Sequence, residues 1–259
     1  MNFEGRSSNQ EEQEIMPEPY ALTRLLNQLF GGLANSLLNA IGVHPANPAT
    51  PITNALALEL LVAVILIGFF LMVRASLSVE KPGSLQQFAE MIHEFTGGQA
   101  DAIIGHGYAR FQAFVTVIFL FVVICNLIGL IPGISAPTET PVVPLGIAIC
   151  TFVYYNFHGF REQGIKGYLG HFAGPIWWIA PLLFPIEIIS HCARVMSLTI
   201  RLYANMFAGG LVTLVFFSLI PIGVPVVFLG LHLAVSLIQA YVFMLLAMIY
   251  LSQAVAHEH

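Results

Sequence analysis

The chain has 259 residues, of which 57% are hydrophobic and only 9% charged, with a mean hydropathy of +0.82. A water-soluble domain carries about 25% charged residues, so this composition marks a membrane protein. The net charge of −5 is too diffuse to imply a nucleic-acid partner.

The first 20 residues are polar and acidic, with Glu4, Glu11, Glu12, Glu14 and Glu18 and no apolar core. They read as a disordered tail over 1–19 rather than a cleavable signal peptide. From 20 to 43, Leu22, Leu25, Leu26, Leu29, Phe30, Leu33 and Leu37 recur at helical period, broken by Gly31-Gly32, which predicts an interfacial amphipathic helix. A Pro-rich turn from His44 to Pro51 follows. Residues 52–73 form the first span, since about 20 apolar residues cross a bilayer. Glu59 interrupts this span near its start and reads as snorkelling to the interface. Residues 84–106 set Leu85, Phe88, Met91, Ile92 and Phe95 against Gln86, Gln87, Glu90, His93 and Glu94. That acidic amphipathic helix is expected to dock on protein, because anionic lipid prefers Lys and Arg.

Spans are predicted at 111–131 and 142–157, separated by a polar loop and followed by a Gly-rich connection with Arg161 and Lys166. The last third differs. Ile186 to Leu219 contains no proline and would run about 51 Å as one helix, and Val226 to Ala256 would run about 46 Å. The hydrocarbon core is about 30 Å thick, so both must slope. The fold class that follows is an all-α membrane protein with about five membrane helices plus amphipathic interfacial helices. Its last two helices, 175–219 and 226–256, are long and strongly tilted as a hairpin. After the tail, residues 20–259 read as a single membrane domain. Basic residues Arg74, Lys81, Arg110, Arg161 and Lys166 collect on one side, while loops 132–141 and 220–225 have none. The basic side is cytoplasmic by the positive-inside rule, which predicts the N-terminus outside and the C-terminus in the cytoplasm. Cys125, Cys150 and Cys192 lie in apolar runs and read as buried thiols.

The chemistry concentrates on the two long helices. Glu187, Arg194 and Arg201 are spaced seven apart, which returns to nearly the same azimuth. Asn205 joins that stripe, and Ser190 and His191 flank it. Arginine at mid-bilayer costs roughly 2.5–3.5 kcal/mol, so such a face meets protein or water and most often marks an ion pathway. The structural alternative for Arg194 is an ion pair with Glu187. Arg201 has no acid within reach on its own helix and should meet a carboxylate on a partner. Glu187 is a candidate proton carrier, because glutamate is the kind of group whose proton affinity can be tuned by burial and by a facing arginine. His232, Ser236 and Gln239 put a second polar face on the last helix, with a histidine suited to passing a proton. No metal or cofactor site emerges: Gly97 stands where a zinc protease would need its second histidine after His93-Glu94, and no P-loop is present. The histidine pairs 93/106 and 158/171 leave a membrane haem protein as one alternative. A stand-alone ion-coupled secondary transporter is another, but the repeated halves it would need are not visible.

The run Ser197-Leu198-Thr199-Ile200-Arg201-Leu202-Tyr203-Ala204-Asn205-Met206-Phe207-Ala208-Gly209 resembles the central signature of subunit a of the F-type (rotary) ATP synthase. Pro185 to Ser190, Gln239 to Leu245 with Ile249 to Ser252, and Asn126-Leu127 with Leu130 to Gly133 resemble its other conserved segments. The resemblance covers roughly residues 50–255. It implies a bacterial inner-membrane, multi-pass stator subunit that is not catalytic alone. The implied partners are the c-ring, the peripheral-stalk subunit b, membrane lipid and protons. Two offset half-channels would serve the ring carboxylates. Arg201 corresponds to the family's essential arginine, Asn205 and Gln239 to polar neighbours, and Glu187 and His232 to the proton path. Ser190, His191, Arg194 and Ser236 complete the candidate set. The chain departs from the family at Gly210, where many members carry an acid or histidine, and at Gly129, where many carry an acid.

Overall fold

The computed structural model describes residues 19–40, 42, 50–131, 133–173, 180–219 and 223–255, with side chains outside 165–180. The acidic tail up to Glu18, most of the Pro-rich turn, positions 175–179, 220–222 and the last four residues lie outside them. The described residues form seven α-helices, one 3-10 helix and no strand. The α-helices are α1 (Ala21–Ala40), α2 (Asn54–Ala75), α3 (Ser84–Ile104), α4 (Ala109–Ile128), α5 (Val142–Ala173), α6 (Ala180–Leu219) and α7 (Val224–Val255). Pro137–Glu139 is the 3-10 turn between α4 and α5. Five helices are long and apolar enough to cross a membrane, α2, α4, α6, α7 and α5 as far as Gly164, so the all-α membrane class holds.

The chain divides between Leu58 and Glu59 into two compact units. In the first, α1 runs unbroken through Gly31-Gly32, against the interruption read from its sequence. Gly31 sits where a Cβ would touch Asn27 and Pro51 at ordinary contact distance. The packed face of α1 is its polar one. Asn27 donates to the Ile52 carbonyl and accepts from the Ile52 amide at 2.9 and 3.0 Å, and the Thr23 hydroxyl donates to Asn54 at 2.7 Å. Leu25, Leu29, Leu33 and Leu37 stay exposed.

The same inversion recurs on α3 in the second unit. This helix packs on protein largely through small and polar residues rather than through its apolar face. Leu85, Phe88, Met91 and Phe95 are exposed, while Gln86, Ile92, Thr96, Gly97 and Ala100 are buried. Thr96 and Thr116 share a 2.8 Å hydroxyl hydrogen bond, and Gln112 of α4 donates to the His93 carbonyl at 2.7 Å. Gly97 makes room for it, because a Cβ there would lie 2.6 Å from the Gln112 amide nitrogen. Small and polar residues are what bring helices together where the surroundings are as apolar as leucine.

In α5 the helical backbone persists to Gly164, whose φ of 72° breaks it, so this span runs past the end expected at 157. Glycine takes that conformation without the Cβ clash another residue would suffer. Arg110 at the start of α4 pairs with Glu162 near this break. The α6 helix begins at Ala180 and accommodates Pro185 at the cost of one backbone hydrogen bond. With 40 and 32 residues, α6 and α7 are about 60 and 48 Å long. Both exceed the roughly 30 Å hydrocarbon core, so they slope or project, and they pack against each other as a hairpin. The three cysteines are free, but only Cys125 is buried. Cys150 and Cys192 lie on outward faces of α5 and α6, because an apolar run in a membrane helix points to lipid as readily as to a core.

Candidate functional site

The polar residues of α6 fall into three settings along one helix. Near its middle, Arg201 is exposed, and so are Ser197, Ala204 and Ala208, at spacings of four, three and seven from it. These small side chains leave the guanidinium standing clear. No hydrogen bond or ion pair reaches Arg201 among the described residues. One turn on, the Asn205 amide donates to Gln239 Oε1 of α7 at 2.8 Å, and the buried Gln239 has an amide nitrogen without a partner among the described residues. Asn205 and Gln239 are thus brought together beside the arginine.

Toward the start of α6, His191 is buried between two partners. Its Nδ1 shares a 2.9 Å hydrogen bond with the Tyr155 hydroxyl of α5, and its Nε2 lies 3.4 Å from Glu187 Oε1. Ser190 beside them is half-buried. Arg194 does not make the ion pair with Glu187 that its spacing allowed on paper. Seven residues separate them by about 10.5 Å along the axis. Its guanidinium lies instead 5.2 Å above the Tyr250 ring of α7.

Toward the end of α6, a cleft of about 480 Å³ opens between α6, α7 and the connection from α4 to α5. Its polar lining includes Glu139, His232, Thr213 and Ser135. His232 is only 3% exposed, and neither ring nitrogen has a hydrogen-bond partner among the described residues. Its ring rests on Gly209, where a Cβ would stand 3.0 Å from Cδ2. The neighbouring Gly210 faces Glu139, and a Cβ there would come within 2.6 Å of Oε1. Burial pushes the Glu139 carboxyl up to about 7, with a hydrogen bond from the Ala136 backbone pulling the other way. The Thr138 hydroxyl donates to Asn126 Oδ1 at 2.8 Å, and the Asn126 amide donates to the Ser236 carbonyl at 3.2 Å. Ser236 also places its hydroxyl 3.7 Å from Met206 sulfur. This chain of bonds fastens the 3-10 turn to α4 and α7.

Sequence reasoning missed Glu139, Tyr155 and Thr138, and quoted Asn126 only as part of a conserved segment, with no role. The only signal for Glu139 was a carboxylate in a short Pro-Thr-Glu turn between two spans. Tyr155 carried none, since its value depends on which face α5 turns to α6.

Residues 56–252 match the family described as ATP synthase A chain. The chain is 52% identical to an ATP synthase subunit a from Koribacter versatilis over 94% of this chain and 100% of that one. It is 47% identical to one from Solibacter usitatus over 91% and 100%, and 42% identical to one from Bdellovibrio bacteriovorus over 68% and 77%. A match over most of the length, together with five candidate spans, leads to one statement: this multi-pass membrane chain belongs to the ATP synthase A chain family.

Proposed function

We propose that the chain is the proton-conducting stator subunit a of an F-type ATP synthase. It sits in a bacterial inner membrane with its C-terminus in the cytoplasm, facing the c-ring and held by subunit b. The observation that carries this reading is Arg201, a cation that no described residue pairs with, standing on a small-residue face of a helix otherwise exposing Ile200, Phe207 and Leu211. A charge in that setting requires a partner of opposite sign from another protein. A carboxylate carried past on a rotor supplies it. The guanidinium stays protonated at any physiological pH, so it attracts the ionised site but cannot relay a proton.

Protons then take two offset routes. One uses Glu187, Ser190 and His191, with Arg194 beside them, near the start of α6. The other uses His232, Ser236, Gln239 and Asn205 toward its end. Arg201 lies between the routes and blocks a direct leak, which matters because each proton crossing 100 mV carries about 2.3 kcal/mol. The subunit binds no nucleotide in this scheme and is not catalytic by itself.

Purified complex in sealed vesicles tests the reading. Arg201→Ala should assemble yet lose coupled ATP synthesis at least about tenfold, since the ionised ring site then has no counter-charge. Normal proton-driven synthesis by that variant would overturn it.

A further inference from the structure

The half-channel toward the end of α6 lacks a side chain at Gly210, and the structure puts another in its place. We propose that Glu139, delivered by the 3-10 turn between α4 and α5, is the carboxylate that takes up protons from water there and hands them to His232. The proposal rests on the functional reading above and names a residue in one of its two routes.

Three close approaches carry it. Gly129 lies under Ala136, where a Cβ would be 2.6 Å from the alanine Cβ, so the connection closes down on α4. Gly210 leaves the space that the Glu139 carboxylate occupies, and any larger residue there would collide with it. Gly209 lets the His232 ring lie against α6 one residue earlier. A carboxylate and a buried imidazole with no partner at either nitrogen among the described residues therefore line the same cleft from opposite elements. The Thr138–Asn126–Ser236 bonds hold the turn that bears Glu139, which makes Thr138 and Asn126 positioning residues.

The proton balance is simple. Hydronium gives its proton to the Glu139 carboxylate and leaves as water. The carboxylic acid passes that proton to a ring nitrogen of His232, forming imidazolium and restoring the carboxylate. Imidazolium then releases a proton toward the ring carboxylate. A carboxyl held up to about 7 is poised for both steps at neutral pH. The titratable groups facing the cleft among the described residues are Glu139, from the 3-10 turn, and His232, from α7. The lining contributed by α6 and by the segment 129–135 contains none.

The test is ATP-driven proton pumping by the complete complex in vesicles, followed with a pH-sensitive dye across pH 6 to 8.5. The wild type should show an inflection near pH 7 in its rate. Glu139→Gln should slow pumping about tenfold or more and erase the inflection. Glu139→Asp should restore most of the rate with a displaced inflection. Glu139→Ala/Gly210→Glu, which returns an acid to the cleft from the other side, should pump faster than Glu139→Ala alone. Wild-type rate and pH profile in Glu139→Gln would overturn the assignment. Should that variant fail to assemble, an undisplaced inflection in Glu139→Asp would overturn it instead. Arg201→Ala serves as the control. If it pumps normally the functional reading fails, whereas if it is inactive and Glu139→Gln is normal, only the role of Glu139 falls.

Discussion

Arg201 is the residue whose value is set by what it does not touch. A planar fork offers a passing carboxylate two parallel N–H donors, while an ammonium offers a point charge on a more strongly hydrated head. Arg201→Lys should therefore retain assembly and ring attraction but synthesise ATP about tenfold more slowly, because the geometry of encounter is lost along with part of the hydrogen bonding. The check is ATP synthesis in vesicles at a fixed imposed proton gradient, and a rate equal to wild type would show that charge alone suffices. Arg201, Glu187 and His232 could be read from sequence because a charged or titratable group on an apolar helix is conspicuous wherever it points. Glu139 and Tyr155 could not. Their importance depends on through-space meetings with Gly210 and His191, and nothing in their own neighbourhood encodes those distances.

At the scale of elements, the length of apolar runs marked the spans and helical periodicity marked α1 and α3, but neither pattern named the face by which α1 and α3 pack. On α1 the buried residues are Thr23 and Gly31, with the half-buried Asn27 between them, and on α3 Gln86, Thr96 and Gly97 are buried. In water the greasy stripe turns inward. Beside lipid it turns outward, and small or polar residues make the contacts between helices. The connection from α4 to α5 follows the same logic, with Gly129 as the point of closest approach. Gly129→Ala would push a methyl into the Ala136 side chain at 2.6 Å, and the obstruction includes the Ala136 backbone at 3.2 Å. Overpacking of this kind costs about 1–3 kcal/mol. The expected outcome is a lower yield of assembled complex, and a slower proton pump in what does assemble, because the turn that presents Glu139 is displaced. Unchanged yield and rate would show that the connection can move without penalty.

Across the whole molecule, coverage is uneven in a way that sequence hydropathy cannot reveal. In an 18-residue apolar stretch of each helix, half of α4 is buried within the chain, but only 11% of α6 is. All spans are apolar enough for lipid, so hydropathy alone does not separate a lipid face from a protein face. What distinguishes α6 is the exposed row of Ser197, Arg201, Ala204 and Ala208, where a charge stands among side chains small enough for another helix to come close. By contrast, the outward residues of α2, such as Val64 and Ile67, are bulky and carry no charge near mid-span. Cysteine chemistry separates the two surfaces once Cys125, Cys150 and Cys192 are replaced by serine. Ala204→Cys and Ala208→Cys should form disulfides with a cysteine on a helix of the c-ring under mild oxidation, and Val64→Cys should not. The ring dimension and the tilt of α6 then set which ring position reacts best, and the two reactive partners should differ by about one helical turn, since four residues span about 6 Å along the axis. Cross-linking from Val64 with none from Ala204 or Ala208 would turn the molecule around, giving lipid the arginine face and the rotor the other.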